Sequence, residues 1–401
     1  MYRLAKNLVQ LNPQREIRIA VDNLAAFNKI ESRVDPALAE QVLEVACADS
    51  LQAQEGAGKA GNEGKPKTSA EIKSESKPKT GGRLKIFDAT NAAVCAREWT
   101  KKPAQVILEC FQCGRPDWLE ALLFDGVTRA LIINIDYLTA EDYAEEFHRL
   151  KSGTRSPLVR KVNFMPGFTA KTGGLILDAA AETASKPKNA PATENGFIAK
   201  TAGPQVLMFS YPKDFAPIIR AILRWNKAAQ VNLAQGAGKE SFLAANENCL
   251  QDQKAGGLFV RELPFLSQEE WDKNLYAQDL LFVRGEDSLS RACLSGKPFV
   301  WQAYLQDGNY QLVKVRALLA RMRPHFAAGD FSALESFWLL YNGAESSDKP
   351  KTAGAAMEEA CYGFLERSDK MKAGFEAFAR SLFELGNFSQ KLDEFVGEWA
   401  N

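Results

Sequence analysis

Apolar and polar positions follow two patterns along the first half of the chain, one typical of helices and one typical of strands. Apolar side chains recur at helical spacing in residues 2–11, with charged and amide groups on the other face, and Pro13 ends this pattern. Short apolar or alternating runs predict strands at 16–21, 84–87, 105–109 and 130–135. A hydroxyl and an acid within 139–142 resemble a capping box, which predicts that a helix begins there.

The second half repeats these patterns. Strands are predicted at 206–209, 229–233, 258–262, 280–283 and 298–301, and helices at 214–225, at 268–276, from Leu289 and from about Ala355 to the end. Short apolar runs that alternate with helices are typical of parallel sheets with helices on both faces. The sequence therefore predicts an α/β protein with two Rossmann-like domains and a ligand cleft at the carboxyl ends of the strands.

Changes in composition suggest the domain boundaries. We predict a Rossmann-like domain at 1–178, a linker at 179–203, a second Rossmann-like domain at 204–354 and C-terminal helices at 355–401. The first domain contains a low-complexity insertion at 52–82, and the tripeptide Lys-Pro-Lys occurs at 65–67, 77–79, 186–188 and 349–351. Such segments lack the apolar groups that would offset the entropy of ordering, so we interpret them as mobile surface loops or linkers. The alternative is that these lysines attract an anionic partner.

Composition and charge narrow the class of function. The 401 residues contain 50 Lys plus Arg and 50 Asp plus Glu, so no overall field favours nucleic acid or an anionic membrane. No apolar run approaches the ~20 residues of a membrane span, and the N-terminal residues lack the apolar core of a signal peptide. We therefore expect a cytoplasmic protein without a nucleic-acid or membrane partner.

The cysteines favour neither disulfides nor a metal site. Their number is seven and their spacing is irregular, which is not a disulfide framework. Cys110 and Cys113 form a C-x-x-C pair, but no second pair exists, and the chain has only two histidines. A four-ligand zinc site is hard to assemble from these residues, so we interpret the pair as buried or half-buried thiols that follow a strand.

The stretch 280–288 carries the clearest chemical signal. An apolar strand ends at Arg284 and Gly285, and the acids Glu286 and Asp287 and the hydroxyl of Ser288 follow directly. The start of a helix offers N–H groups and a positive dipole end to a diphosphate, and Arg284 adds a charged planar fork. Ser288 is a natural cap for that helix. At least one of the two acids should address a sugar hydroxyl or the reacting centre, because both would repel a diphosphate. The alternative is an ordinary strand-to-helix turn with a solvated acidic cap.

Two other segments are candidates for a nucleotide pocket. Tyr211 follows the strand at 206–209, where an aromatic ring can stack on a base or sugar. Phe265 and Gln268 lead into the next predicted helix, with a ring for base stacking and an amide for a pyrimidine edge. Core packing at strand ends is the alternative for these aromatics. The sequence contains no Asp-x-Asp motif, so we expect no metal at this site.

Several of these segments, taken in order, resemble the EarP family of protein-arginine rhamnosyltransferases. The second-domain signature is carried by the stretches 263–268, 284–288, 296–301 and 304–306, and the first-domain landmarks by 108–113, 136–141 and 165–176. The resemblance extends from residue 1 to about 320 and is weak in the helical tail. No single motif is decisive, but the number of motifs in the right order is specific.

This resemblance implies a GT-B fold and an inverting transfer of L-rhamnose from TDP-β-L-rhamnose to an arginine of translation elongation factor P. The first domain would lie on the acceptor side, and the second would hold the donor without a metal or other cofactor. Donor contacts carry over to Tyr211, Gln268, Arg284, Gly285, Glu286, Asp287 and Ser288, and Glu286 carries over as a catalytic carboxylate. Because a guanidinium has a pKa near ~12.5 and is a poor nucleophile, carboxylates that orient it and assist proton loss suit this reaction. Glu109, at a strand end, is a further candidate, with a structural strand-end acid as the alternative.

The sequence also departs from the family pattern. The family begins with a strand, a turn of the form Asp-Asn-Phe-Gly-Asp-Ile-Gly and then a helix, whereas this chain begins on that helix. We therefore expect the first strand of the N-terminal domain and the principal catalytic aspartate to lie upstream of Met1. A start codon assigned too late and a real truncation both explain this pattern. For the 401 residues as given we expect little or no transfer and retained binding of a thymidine nucleotide. Leu305 and Gln311 are further departures, where the family has Pro and commonly His.

Two alternatives to this enzyme stay open. A pseudoenzyme or binding module would hold the factor or a thymidine nucleotide without turnover. A GT-B transferase with another donor base or another acceptor would share the fold and differ in its substrates.

Overall fold

The structure is a computed structural model that describes residues 1–46, 80–111, 113–185, 203–251, 258–343 and 353–400. Nearly all of the predicted insertion at 52–82 and all four Lys-Pro-Lys tripeptides lie outside the described residues. The predictions made for those segments therefore stay predictions. In the part of the chain that the structure describes, no helix combines the length and the apolar character needed to cross a membrane.

Twelve strands are present in the described residues, and most lie within one or two residues of a predicted one. They are β1 Ile17–Val21, β2 Glu40–Ala46, β3 Thr80–Asp88, β4 Val106–Cys110, β5 Ala130–Ile135, β6 Lys151–Ser152, β7 Val159–Asn163, β8 Gln205–Met208, β9 Gln230–Leu233, β10 Phe259–Glu262, β11 Leu280–Arg284 and β12 Phe299–Gln302. Three of them, β2, β6 and β7, were not predicted. Each of these pairs antiparallel or lies beside an antiparallel edge strand, where the pattern of apolar residues is weaker.

The helices connect these strands and form the C-terminal tail. They are Tyr2–Leu11, Leu24–Asn28, Ala92–Lys101, Asp117–Leu123, Tyr143–Phe147, Ala179–Ser185, Ala216–Trp225, Lys239–Gln251, Gln268–Ala277, Glu286–Leu294, Tyr310–Met322, Ala328–Tyr341, Ala353–Glu384 and Phe388–Ala400, with 3-10 turns at Asp307–Asn309 and Arg323–His325. The predicted helical tail is confirmed. The predicted α/β class is confirmed as well.

Two helix starts differ from the prediction. The helix expected from Leu289 begins three residues earlier, at Glu286, because Gly285 serves as its N-cap. The capping box expected at 139–142 is wrong, since the helix begins at Tyr143 and its N-cap makes no side-chain hydrogen bond. The hydroxyl of Thr139 instead accepts the N–H of Glu141 and donates to its carboxylate, which closes a local turn.

The chain forms two compact units. The first unit consists of residues 1–105, 115–130 and 392–401, and the second consists of residues 106–114 and 131–391. In the first unit, β3 lies between β1, which is parallel to it, and β2, which is antiparallel. Its core is formed by Tyr2, Ala5 and Val9 of the first helix against Leu84 and Ile86 of β3.

The second unit contains two sheets. The smaller one has the order β4-β5-β7-β6, with β4 parallel to β5 and β6 antiparallel to β7. The larger one has the order β10-β9-β8-β11-β12, and each pair of neighbours is parallel. The parallel sheets that the sequence predicted are therefore confirmed for the second half, whereas the first-half sheets are mixed.

The order of the five-stranded sheet decides where a ligand site can form. The chain adds β9 and β10 on one side of β8 and then crosses to add β11 and β12 on the other side. A crevice opens at such a reversal, outside the carboxyl ends of the two central strands. Those two ends carry the segments 209–211 and 284–288, which are the two clearest candidates from the sequence. The apolar side chains of β8 and β11, among them Leu207 and Phe282, are fully buried and make this edge of the sheet rigid.

Candidate active site

The turn at Gly285 brings a charged strand end and a helix start together. Gly285 has φ +70°, a left-handed conformation that costs a residue with a side chain about 1 kcal/mol or more. The first N–H groups of the helix Glu286–Leu294 have no acceptor within that helix, which makes its start suitable for an anion. Ser288 was predicted as the cap and is not one, because it lies inside the first turn and is buried.

Arg284 is held between two aromatic rings. Its guanidinium carbon lies 4.4 Å from the ring centre of Phe209 and 4.6 Å from that of Tyr211. Its Nε is buried, and no atom of the described residues accepts a hydrogen bond from it. A Cβ at Gly236 would lie 3.1 Å from both the Arg284 guanidinium and the Phe209 ring, so the absence of a side chain there leaves room for this arrangement. The stacking therefore fixes the guanidinium in place, and its Nε–H remains available to donate a hydrogen bond to a ligand.

Tyr211 is fixed through its backbone. Its N–H donates to the Oε1 of Gln302, at the carboxyl end of β12, over 2.8 Å. Its ring meets the ring of Tyr304 edge to face, with 5.6 Å between the centres. Arg284, Tyr211 and Tyr304 thus lie together at the carboxyl ends of β11, β8 and β12.

Gln268 and Phe265 lie on the segment that enters the next helix. Ser267 caps that helix in a reciprocal capping box with Glu270, which was not among the predictions. Gln268 is the first helical residue, and its Oε1 is buried without a donor among the described residues. Trp271, one turn later, packs edge to face on Phe209 and connects this helix to the aromatic pair around Arg284. Phe265 is 63% exposed.

Glu286 is the most perturbed acid of this region. The pKa of its carboxyl is raised from 4.5 to about 7, mainly by burial and in small part by the negative charge of Asp136. The N–H of Leu138 donates a hydrogen bond to it, and the ammonium of Lys314 attracts it, and both act to lower the pKa. A carboxyl with a pKa near neutrality can both accept and release a proton at physiological pH, which is the property of a general acid–base group.

Groups around Glu286 come from the 136–141 loop and from the Tyr310–Met322 helix. Tyr310 donates a 2.7 Å hydrogen bond to Glu141, and Lys314 lies 5.9 Å from the ring centres of both Tyr137 and Tyr310. Periodicity gave no signal for Tyr310 and Lys314, because only the tertiary fold brings their helix to this loop. The 136–141 loop was identified from the sequence as a landmark and not as a site.

The first-half residues singled out from the sequence, Glu109 and the cysteine pair, have different surroundings. Glu109 is buried and forms an ion pair of 2.9 Å with Lys161, which lies two strands away on the same face of the sheet. This contact agrees with the alternative that Glu109 is a structural acid at a strand end. Phe111 follows β4 with φ +54°, is 41% exposed and stacks on Tyr137 with 4.3 Å between the ring centres. The Cys110 thiol is half-buried as predicted, whereas the predicted burial of Cys113 is wrong, since it is exposed.

Comparisons with known proteins agree on one family. The profile of the family described as elongation factor P (EF-P) rhamnosyltransferase EarP matches residues 70–397. A protein-arginine rhamnosyltransferase of Pseudomonas putida is 31% identical over 252 residues, which cover 60% of this chain and 67% of that protein. The enzyme of the same description from Shewanella oneidensis is 30% identical over 278 residues, covering 60% of this chain and 70% of the relative. The one from Pseudomonas aeruginosa is 25% identical over 330 residues, covering 79% and 85%.

One solved structure is similar over most of its length. It is described as the structural basis for EarP-mediated arginine glycosylation of translation elongation factor EF-P. It is 18% identical to this chain, with a TM-score of 0.48, and the match covers 73% of this chain and 98% of that one.

Proposed function

The chain belongs to the EarP family of protein-arginine rhamnosyltransferases, and from that premise we propose that it transfers L-rhamnose from TDP-β-L-rhamnose to an arginine of translation elongation factor P. The observation that carries this proposal is the pairing of a stacked Arg284 with a half-buried Glu286 on either side of Gly285, at the reversal point of the five-stranded sheet. One group suits a diphosphate and the other suits proton transfer.

The second-half residues account for the donor. The Arg284 fork and the start of the Glu286–Leu294 helix would hold the diphosphate, with Gly285 and Ser288 in the same turn. The unpartnered Oε1 of Gln268 suits the ring N–H of thymine, and Phe265 and Tyr211 offer faces for the base or the sugar. Asp287 is exposed at the helix start, where it can meet a sugar hydroxyl. We expect this set to bind the donor without a metal ion.

The carboxylates account for the acceptor chemistry. In an inverting transfer a guanidine nitrogen attacks the anomeric carbon as the bond from that carbon to the diphosphate breaks, and the guanidinium gives up a proton. Glu286 in its ionised form can orient the guanidinium and take that proton, and its pKa of about 7 leaves a large ionised fraction at neutral pH. Asp136 adds negative charge on the same side. The proposal includes a GT-B fold. It also includes a cytoplasmic site of reaction, since the proposed acceptor is a translation factor.

The substitution Glu286→Gln tests the proposal. Gln keeps the acceptor for the Leu138 N–H but cannot take a proton, so we expect donor binding within about threefold of wild type and a loss of transfer of about 100-fold or more. Calorimetry with TDP-rhamnose measures the first quantity. For the second, the substitution is made in the chromosomal gene, and the mass of the factor's arginine-containing peptide is followed for the addition of one deoxyhexose.

The control is Glu269→Gln, which changes an exposed acid in the first turn of the neighbouring helix. Unchanged transfer in the Glu286→Gln strain would refute the catalytic role of this carboxylate and favour a binding module. Wild-type protein that binds another nucleotide sugar in preference to TDP-rhamnose would refute the donor assignment.

A further inference from the structure

The two residues that end the Ala328–Tyr341 helix touch both loops that form the proposed donor pocket. One loop follows β8 and carries Tyr211, and the other follows Gln302, the last residue of β12, and carries Tyr304. We propose that Tyr341 and Asn342 are positioning residues that hold these two loops together, so that the Tyr211 ring is presented to the nucleotide sugar. This inference rests on the proposed function, because it assigns a role in that same pocket.

Asn342 holds the loop after β12. It is 1% exposed, its Oδ1 accepts the N–H of Ala303 over 2.8 Å, and its Nδ2 donates to the carbonyl of Trp301 over 2.8 Å. The carboxamide is thus hydrogen-bonded to the backbone on both sides of Gln302, which lies between Trp301 and Ala303. Nδ2 also donates to the carbonyl of Trp338 one turn back in the helix, over 2.9 Å. Only a side chain that donates and accepts at once can make this set of bonds.

Gln302 transmits this arrangement to Tyr211. Its side-chain Oε1 accepts the Tyr211 N–H, and Gln302 itself is 3% exposed. A shift of the backbone at 301–303 would therefore move the acceptor away from the Tyr211 N–H. Since Tyr211 stacks on Arg284, a shift of its ring would also disturb the guanidinium.

Tyr341 holds the loop after β8 from the other side. Its hydroxyl lies 2.7 Å from the hydroxyl of Ser210, the residue before Tyr211. Its backbone carbonyl accepts a hydrogen bond of 2.5 Å from Lys213, whose ammonium also lies 3.5 Å from the Tyr341 ring centre. The ring is 2% exposed and packs on Phe282 of β11 and on Phe337 of its own helix. The loop is thereby fixed at Ser210 and at Lys213, on either side of Tyr211.

This geometry separates the two residues from the reacting groups. Neither side chain is exposed, so neither can contact the donor, and both act through Tyr211 and Gln302. A purely structural helix end would change stability alone when substituted. A positioning residue should change donor affinity and the surroundings of the Tyr211 N–H in a protein that still folds.

The mildest test is Tyr341→Phe, which removes only the hydroxyl opposite Ser210. We expect a melting temperature close to that of wild type and a Kd for TDP-rhamnose raised about threefold to tenfold. Asn342→Asp keeps the shape but replaces two donated hydrogen bonds by a buried charge, and we expect a larger rise in Kd. The matched control is Asn226→Asp, another asparagine that follows a helix, remote from these loops, which should leave the Kd unchanged.

Selective ¹⁵N labelling of the nine tyrosines gives the second readout. The Tyr211 amide resonance, identified by its loss in Tyr211→Phe, should shift in Tyr341→Phe and in Asn342→Asp and stay in place in Asn226→Asp. Should Tyr341→Phe fold, leave that resonance in place and bind the donor as wild type does, the inference is wrong. Failure of the wild-type protein to bind TDP-rhamnose would refute the proposed function instead, and the Tyr211 resonance would still report whether the loops are held.

Discussion

Glu286 should make the protein less stable at neutral pH than it would be with a neutral residue in its place. The carboxyl has a pKa of about 7 in the folded protein and an ordinary value of 4.5 when exposed, mainly because burial disfavours its charge. Between these two values the folded protein holds a proton that the unfolded chain has lost. The free energy of unfolding therefore falls as the pH rises through this window, and the loss is complete above about pH 7.

The size of this loss follows from the two pKa values. Their difference corresponds to at most about 3.4 kcal/mol at 25 °C. Solvent reaches part of the half-buried carboxyl and screens its interactions, so we expect about 1 to 2 kcal/mol. Glu286→Gln keeps the acceptor for the Leu138 N–H and cannot ionise, so it should recover this amount at pH 8 and nothing below pH 4.5.

Urea unfolding at a series of pH values from 4.5 to 8 measures this difference. We expect the free energy of unfolding of Glu286→Gln to exceed that of wild type by an amount that grows with pH and levels off above 7. All other titrating groups are common to the two proteins, so their contributions cancel in this difference. Parallel pH profiles for wild type and Glu286→Gln would refute the reasoning, because they would mean that the carboxyl titrates alike in the folded and unfolded chains.

Two further substitutions test the surroundings of this site, and a third tests the ion pair of Glu109. Arg284→Lys removes the planar group stacked between Phe209 and Tyr211, so calorimetry should show donor binding weakened about tenfold, while Arg220→Lys on a distant ion pair should show no change. Gly285→Ala meets no atom within 4 Å but forces φ +70° on a residue with a side chain, so we expect a loss of about 1 to 2 kcal/mol in urea unfolding. Lys161→Met removes the cation that pairs with buried Glu109 and should lower the free energy of unfolding by about 3 kcal/mol. Adding Glu109→Gln should recover most of this loss. A double variant as unstable as Lys161→Met would contradict this account.

The sequence indicated the strand-to-helix turn of the candidate site better than the groups around the Glu286 carboxyl. Arg284, Gly285 and Glu286 are consecutive, so one strand-to-helix pattern was enough to single them out, and Tyr211 follows two residues after the predicted strand at 206–209. The sequence singled out Asp136 only as part of the 136–141 landmark, and it did not single out Lys314 or Tyr310. Their distance from Glu286 in the sequence is large, and no local pattern reports which loop a helix will meet.

Two helix caps were predicted at the wrong residue, because a hydroxyl side chain can form hydrogen bonds with the backbone of more than one nearby turn. Ser288 and Thr139 both have the residue type of a helix cap, yet a glycine caps the first helix, and Thr139 closes a turn before the second. A hydroxyl near a helix start has several backbone partners within reach, and the competition is decided by φ and ψ of the neighbouring residues.

The sequence by itself determined the α/β class, most of the strands and the residues at the carboxyl ends of β8 and β11, because these depend on the spacing of apolar side chains over a few residues. The tertiary structure decided the strand order that brings those two ends together, the stacking that fixes Arg284, and the contacts of Tyr341 and Asn342 with both loops. It also decided the pKa of Glu286, since burial and the charges of Asp136 and Lys314 reach that carboxyl from distant parts of the chain. The local spacing of apolar residues determines which helices and strands form, whereas the pKa of a charged group depends on all the parts of the chain that pack around it.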